Sequence, residues 1–430
     1  MSIDQPREAH PFYFWPTNGK VCPGAGDGTE HDWDKMLKNV AVLLMAQVFV
    51  SFGGLAIPPL IPFIQPELKL NYTQVGSIMS FLYLGAVIMS LPAGWLTDRF
   101  GVKKMILLCQ VIMGCFVALF SLIGSYWMAL FCTFAMGLGY GMVNPPTTKG
   151  IMDLVKKEKR GFAMSVKQTG VPAGGALAAA MLPPIAIHFS WNVSLIVAGM
   201  VVILSGLLSQ KIYLSHGVKV SSFPEGAGET SSVRRENTHQ NKNIIFLGIG
   251  GAFCSLVQIA LVTYLILYLK DAKNLDLIVA AFCLTLVSIG GVLGRVFWGV
   301  VSDFLFKGSR KVVLKIIVCV MFLASFILGL NLSLPIVPLF LILFVFGFSA
   351  IGWNGVFHAL VGEVVNKEMA GRAIGFAMTI TFIGNLSGPV LFGRILDATQ
   401  SYSTGWFFLC GSTVGAFVFF SLVEEKGSRW

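Results

Sequence analysis

Three basic side chains, Lys149, Lys167 and Arg295, stand inside stretches of otherwise apolar sequence. An ionised group in such a stretch costs about 3 kcal/mol or more unless it is paired or faces water. No carboxylate lies near the middle of these stretches; Asp98, Asp153, Asp303 and Glu363 all fall at their ends. Cations without nearby carboxylates call for an external anion. A guanidinium holds a carboxylate or similar oxyanion in a two-pronged fork, and an ammonium adds a point charge. The chemistry predicted is the binding of a small anion. His358 is the one histidine well inside an apolar stretch. An imidazole there suits a coupling proton, and a packed, neutral, hydrogen-bonded ring is the alternative.

The three cations differ in setting. Lys149 lies one helical turn from Asp153 on the same face and is expected to pair with it. Lys167 shares a helical face with Ala163, Gly170 and Gly174, and Arg295 with Ser288, Gly291 and Gly299. Such small-residue stripes let helices approach closely or leave room for a ligand. At about 1.5 Å rise per residue, Lys149, Lys167 and Arg295 sit roughly 6, 9 and 12 Å inside their helix ends. Gln47, Tyr140, Asn144, Gln168, Gln258, Tyr264 and Asn354 are further polar positions that could complete a site. Each serves equally well as a helix–helix hydrogen bond.

The elements that position these residues follow from composition. Only 12% of the 430 residues are charged and 55% are hydrophobic. A soluble domain carries about 25% charged residues. A soluble enzyme, a disordered chain and a secreted disulfide scaffold are therefore excluded. A bilayer core needs about 20 apolar residues per helix. Twelve such runs are predicted, at 39–63, 73–97, 104–125, 127–150, 161–187, 191–213, 244–269, 277–302, 312–332, 336–362, 371–397 and 404–423. The fold expected is an all-α polytopic membrane protein. Its parts are a polar N-terminal tail over 1–38, a six-helix unit over 39–213, a flexible linker over 214–243, a second six-helix unit over 244–423 and a tail over 424–430. The polar N-terminal tail does not read as a signal peptide. Seven of the eight cysteines lie in apolar runs without a CxxC pair and read as small buried residues.

Orientation follows from the basic residues. With the N-terminus inside, inner tails and loops hold 24 of the 31 Lys and Arg, and the outer side holds Lys69, Lys270, Lys273 and Arg394. That asymmetry places both termini in the cytoplasm. It also accounts for the net charge of +10 without a nucleic-acid partner. No other address is visible, so a plasma or bacterial inner membrane is expected.

The two halves repeat. Gly94 and Asp98 match Gly299 and Asp303 at an offset of 205 positions. Asn144, Asp153, Gly161 and Gly174 match Asn354, Glu363, Gly371 and Gly384 at an offset of 210. Residues that obey the repeat read as scaffold. Lys149, Lys167 and Arg295 violate it, facing Ala359, Ala377 and Ser90 in the other half, and are the stronger candidates for substrate chemistry.

The stretch Gly94-xxx-Asp98-Arg99-x-Gly101-x-Lys103-Lys104 resembles the signature loop between helices 2 and 3 of the major facilitator superfamily, with a degenerate second copy at Asp303. The resemblance covers the whole chain. It implies two pseudo-symmetric six-helix bundles around a central cavity, alternating access by rocking, and helices 5 and 8 facing each other across the boundary. It also implies a gating role for the loop. Asp98 would cap helix 11 and Arg99 would pair with Asp153 near the end of helix 4. Arg295-xxx-Gly299-xxx-Asp303 is similar to the helix 8 pattern of monocarboxylate and oxalate carriers, whose arginine binds the substrate carboxylate. Gly384-xxx-Gly388-Pro389-xxx-Gly393 resembles the glycine-proline motif of antiporters, although that motif belongs on helix 5.

Helix breakers are expected to act at Pro145-Pro146 in helix 4, at Pro172 in helix 5, at Pro183-Pro184 as its end, and at Gly388-Pro389 in helix 11. No P-loop, HExxH or GxSxG motif is present, so neither an ATPase module nor an enzyme is predicted and no cofactor is called for. The expected function is secondary transport of a small organic anion, a monocarboxylate among the candidates, coupled to protons. A monomer in the lipid bilayer is expected. An exporter of lipophilic compounds of the same superfamily, or a non-transporting receptor with this fold, stays open.

Overall fold

The computed structural model of the chain describes residues 28–155, 160–213, 238–306, 308–364 and 370–424. Among them, twelve helices are long and apolar enough to cross a membrane. In the first half these are α1 (Lys38–Glu67), α2 (Tyr72–Phe100), α3 (Val102–Phe120), α4 (Tyr126–Leu154), α5 (Ala163–His188) and α6 (Trp191–Ile212). In the second half they are α7 (Lys242–Asp271), α8 (Leu277–Leu305), α9 (Arg310–Gly329), α10 (Ile336–Val364), α11 (Ala373–Thr399) and α12 (Tyr402–Ser421). Helix already begins at Gly28 before α1 and at Thr238 before α7. The ends of the expected N-terminal tail and linker are thus helical, and the rest of those segments lies outside the described residues.

Short polar caps start the helices on the side opposite the termini. The side-chain oxygens of Asn71, Ser125, Ser190 and Asp276 accept from backbone N–H groups in the first turns of α2, α4, α6 and α8, which satisfies donors that a helix leaves open. On the termini side, Gly101 turns α2 into α3 with φ 81°, and Gly308 precedes α9 with φ 86°. Both lie in the left-handed region that glycine enters without a Cβ penalty. The signature glycine is therefore a backbone requirement, and the second half meets it too.

The sequence repeat is a packing repeat. A Cβ on Gly85 or Gly137 would collide with backbone of the facing helix where α2 crosses α4, and the repeat mates Gly290 and Gly347 do the same where α8 crosses α10. Backbones that approach this closely gain dispersion contacts, the main source of helix association in lipid.

Two helices are broken near mid-span. α4 runs as Tyr126–Met142 and Asn144–Leu154, as Pro145-Pro146 requires, because neither proline has an N–H to continue the ladder. α10 runs as Ile336–Ala350 and Asn354–Val364 with no proline at the break, a feature the sequence pattern did not predict. Against expectation, Pro183 and Pro184 do not end α5, whose helix continues to His188. Pro172 and Pro389 likewise sit within continuous helices.

The halves meet along α2–α11 and α5–α8. Opposite the termini they are shut. Ser80 Oγ on α2 donates to the Leu386 carbonyl at 2.5 Å, and Tyr264 on α7 donates to the carbonyls of Tyr72 and Pro389 at 2.7 and 2.8 Å. Toward the termini a Cβ on Gly94, Gly299 or Gly375 would meet nothing within 4 Å. Among the described residues, hydrogen bonds join the halves on the side opposite the termini and at Arg295, so the molecule is closed opposite the termini.

Candidate functional site

Lys167 and Arg295 lie where the two halves stop touching. Lys167, on α5, is 1% exposed. Its ammonium donates to Asn144 Oδ1 and to Thr148 Oγ1, each at 3.2 Å. Both acceptors stand just past the break in α4, so the break places the partners of the lysine. Arg295, on α8, is half-buried. Its Nε donates to the Ile351 carbonyl at 3.3 Å, and its Nη1 makes a short bond across the boundary to the Gln168 carbonyl on α5. Ile351 lies in the break of α10, where the interrupted ladder frees carbonyls. Each broken helix thus serves one cation.

The surroundings are neutral. His358 is half-buried and within electrostatic reach of both Arg295 and Lys167, and Tyr140 is within reach of Arg295. Gln258 Oε1 on α7 accepts from Trp353 Nε1 at 3.0 Å and from Asn354 Nδ2 at 3.3 Å. Tyr140 meets Tyr83 edge-on, with ring centroids 6.2 Å apart. Gln47 is fully buried against Gly170 of α5, and among the described residues neither amide atom has a hydrogen-bond partner. On the closed side of Arg295 the space between the halves shrinks to about 30 Å³, between Leu55, Tyr83, Pro172, Gln258 and Ser288. That is room for one water. A larger cavity of about 360 Å³ near Lys273 belongs to the second half alone and touches neither cation.

Several expected partners are different ones. Lys149 does not pair with Asp153. It binds Asp98 Oδ1 at 2.5 Å, because a bond from a neighbouring helix outcompetes an i,i+4 contact worth a few tenths of a kcal/mol (~0.3). This occupies Lys149 at the rim, away from the two deeper cations. The residues that precede α11, and with them its cap, lie outside the described ones, and among the described residues Arg99 does not reach Asp153. The Arg99 guanidinium lies over the rings of Trp95 and Phe100 at 5.4 and 5.7 Å. Asp153 stands beside Tyr213, whose hydroxyl is pushed up to about 12 by burial and by that carboxylate. Lys103 and Lys104 occupy the first turn of α3. Asp303 joins Glu363 in holding Arg310, at 3.1 and 2.7 Å. Among the described residues these ion pairs all stay within one half. Gln168 contributes its backbone carbonyl to the site.

Thr148, Trp353 and Asp397 were not singled out from the sequence. Thr148 lies one residue from Lys149 and was masked by the stronger charge signal. Trp353 carries no charge to mark it within its apolar run. Asp397, at the end of α11, accepts from the backbone and hydroxyl of Thr73 and from the Tyr72 backbone on α2.

Comparisons with known proteins agree with this architecture. The family profile described as Major Facilitator Superfamily matches residues 43–389. The chain is 26% identical over 402 residues to the hexuronate transporter of Bacillus subtilis (strain 168), covering 91% of this chain and 94% of that protein. It is 25% identical over 369 residues to the probable sulfoacetate transporter SauU of Cupriavidus necator, covering 82% and 85%. Among solved structures, it is similar to that of the nucleoside transporter NupG, with a TM-score of 0.73, 15% identity, and 91% and 100% of the two chains covered.

Proposed function

We propose, from the premise that the chain belongs to the Major Facilitator Superfamily, that it is a secondary carrier for a small organic anion. The observation that carries this reading is the pair Lys167 and Arg295. They stand on opposite halves at the limit of the opening and have no acidic partner among the described residues. The similar proteins named for hexuronate and sulfoacetate transport support an anionic substrate. The likeness of α8 to monocarboxylate and oxalate carriers supports a carboxylate group and does not set how many.

In this reading the basic side of the molecule is cytoplasmic, both termini lie inside, and the described conformation is open to the cytoplasm. The membrane is a plasma or bacterial inner membrane. Arg295 and Lys167 hold the anion. Asn354, Gln258, Tyr140, Gln168 and Gln47 shape the space around it. His358 carries the coupling proton, because it is the histidine within electrostatic reach of both cations. The signature loop, with Gly94, Asp98, Arg99, Gly101, Lys103 and Lys104, and the ends at Asp153 and Asp303, form the inner gate. Lys149 serves that gate through Asp98 and does not bind substrate.

Uptake by the purified protein in liposomes, over a panel of organic anions, cations and neutral drugs, tests the proposal. Anions are expected to be carried, and Arg295→Ala should weaken them about thirty-fold or more, as expected when one partner of a buried charged contact is removed. Arg295→Lys keeps the charge and loses the fork, and should recover only part of that. Flux of cations or drugs without flux of any anion overturns the reading, and binding without flux makes the protein a receptor.

A further inference from the structure

We infer that the site takes a dianion, with one anionic group for Lys167 and a second for Arg295. The inference rests on the anion-carrier reading and adds the charge of the substrate.

The first argument is a charge inventory. The acids of the twelve spans are Glu67, Asp98, Asp153, Asp271, Asp303, Glu363 and Asp397. Glu67 accepts from Trp191 Nε1 at 2.5 Å and Asp271 from the Tyr402 hydroxyl at 2.9 Å. Asp98 holds Lys149, Asp303 and Glu363 hold Arg310, and Asp397 holds the start of α2. Asp153 faces Tyr213. None of them neutralises Lys167 or Arg295. The neighbours of these cations are amide, hydroxyl, carbonyl, phenol and imidazole groups, which carry no negative charge.

The second argument is unspent donor capacity. An ammonium has three N–H donors, and Lys167 uses two on neutral acceptors. A guanidinium has five. Arg295 uses Nε and Nη1, and its Nη2 has no acceptor among the described residues. Each cation keeps a free edge for an oxyanion.

The third argument is closure. Alternating access requires the halves to shut over the loaded site, which strips the remaining water from Arg295, while Lys167 is already buried at 1% exposure. A buried charge left without a partner is the most costly outcome of such a step. A monoanion neutralises one cation and leaves the other bare. A dianion leaves neither. Because Lys167 is on the first half and Arg295 on the second, a two-ended anion also ties the halves together when it binds.

The test compares diacids with the monoacids that lack their second carboxylate, in ligand-induced thermal stabilisation of the full-length purified protein. The set is D-glucarate against D-gluconate, together with unsubstituted α,ω-dicarboxylates of two to six carbons against their monocarboxylates. The expected result is at least one pair in which the diacid binds about thirty-fold tighter or more. Lys167→Gln and Arg295→Gln should each bring that ratio down toward one. Because the readout is a ratio within each variant, it does not depend on equal folding across variants. Monoacids that bind as tightly as their diacids in every pair overturn the dianion inference and leave the anion carrier standing. Binding by neither class, with binding by cations or neutral compounds, overturns the carrier reading itself.

Discussion

Asp397 caps Thr73 from 324 positions away in the chain. Its carboxylate accepts from the Thr73 backbone N–H at 2.8 Å and from the Thr73 hydroxyl at 2.5 Å, and takes the Tyr72 N–H at 2.9 Å as well. Asn71 and Gln74 form a capping box at the same helix start. That box satisfies the N–H groups of Asn71 and Gln74, and Asp397 satisfies the two between them from the other half of the molecule. A negative group at a helix N-terminus is also favoured by the helix dipole. The contact joins α2 to α11 on the closed side.

Asp397 should therefore act as an outer latch. A charged helix cap contributes about 1–2 kcal/mol, which is roughly a five- to thirty-fold shift between conformations. Asp397→Ala should move the population toward the state open on that side. A single cysteine at Ser77, labelled by a membrane-impermeant maleimide, should then react faster by that order. Labelling at the wild-type rate would reduce Asp397 to an ordinary cap.

Gly76 tests the same closure by bulk. A Cβ there would collide with the Pro389 carbonyl and the Tyr264 hydroxyl, both on the opposite half. Gly76→Ala should block closure on that side without disturbing packing inside either half. Transport is expected to fall more than ten-fold, because a Cβ far inside van der Waals distance of the Pro389 carbonyl oxygen forces the backbones apart at a cost of about 1–3 kcal/mol or more, while membrane insertion is unchanged. Wild-type transport would show that α2 and α11 have slack.

The Lys149–Asp98 pair predicts a split between stability and turnover. Asp98 is 54% exposed, and exposed ion pairs contribute about 0–1 kcal/mol. Asp98→Asn should leave the melting temperature within about 2–4 °C. If Asp98 exchanges Lys149 for another contact when the inner side closes, turnover should nevertheless drop several-fold. Equal, small effects on both measurements would place the pair among solvated surface charges.

His358→Gln should flatten the pH dependence of uptake and leave substrate binding at fixed pH within about three-fold. Glutamine keeps hydrogen-bonding capacity and removes the titrating ring. A wild-type pH profile in the variant would return His358 to packing and leave protonation of the substrate anion as the coupling route.

The spans, the repeat and the misplaced cations were legible in the sequence because each is a local or periodic property. Hydropathy decides partition into the bilayer residue by residue, and a cation in an apolar run stands out whatever surrounds it. Lys167 and Arg295 stand on facing helices, and among the described residues neither has a carboxylate partner. The partners belong to tertiary structure. Lys149 had Asp153 one turn away and took Asp98 from another helix, since weak local pairs yield to any well-placed neighbour. The break in α10 has no proline to announce it, yet it frees the carbonyl that holds Arg295. Asp397 carries no mark in the sequence, and only the packing of α11 against α2 brings it to Thr73, 324 positions away. Sequence spacing carries helix faces and membrane depth. Which helix end meets which, and which side of the molecule is shut, depends on how two rigid bundles lean together, and no local pattern encodes that angle.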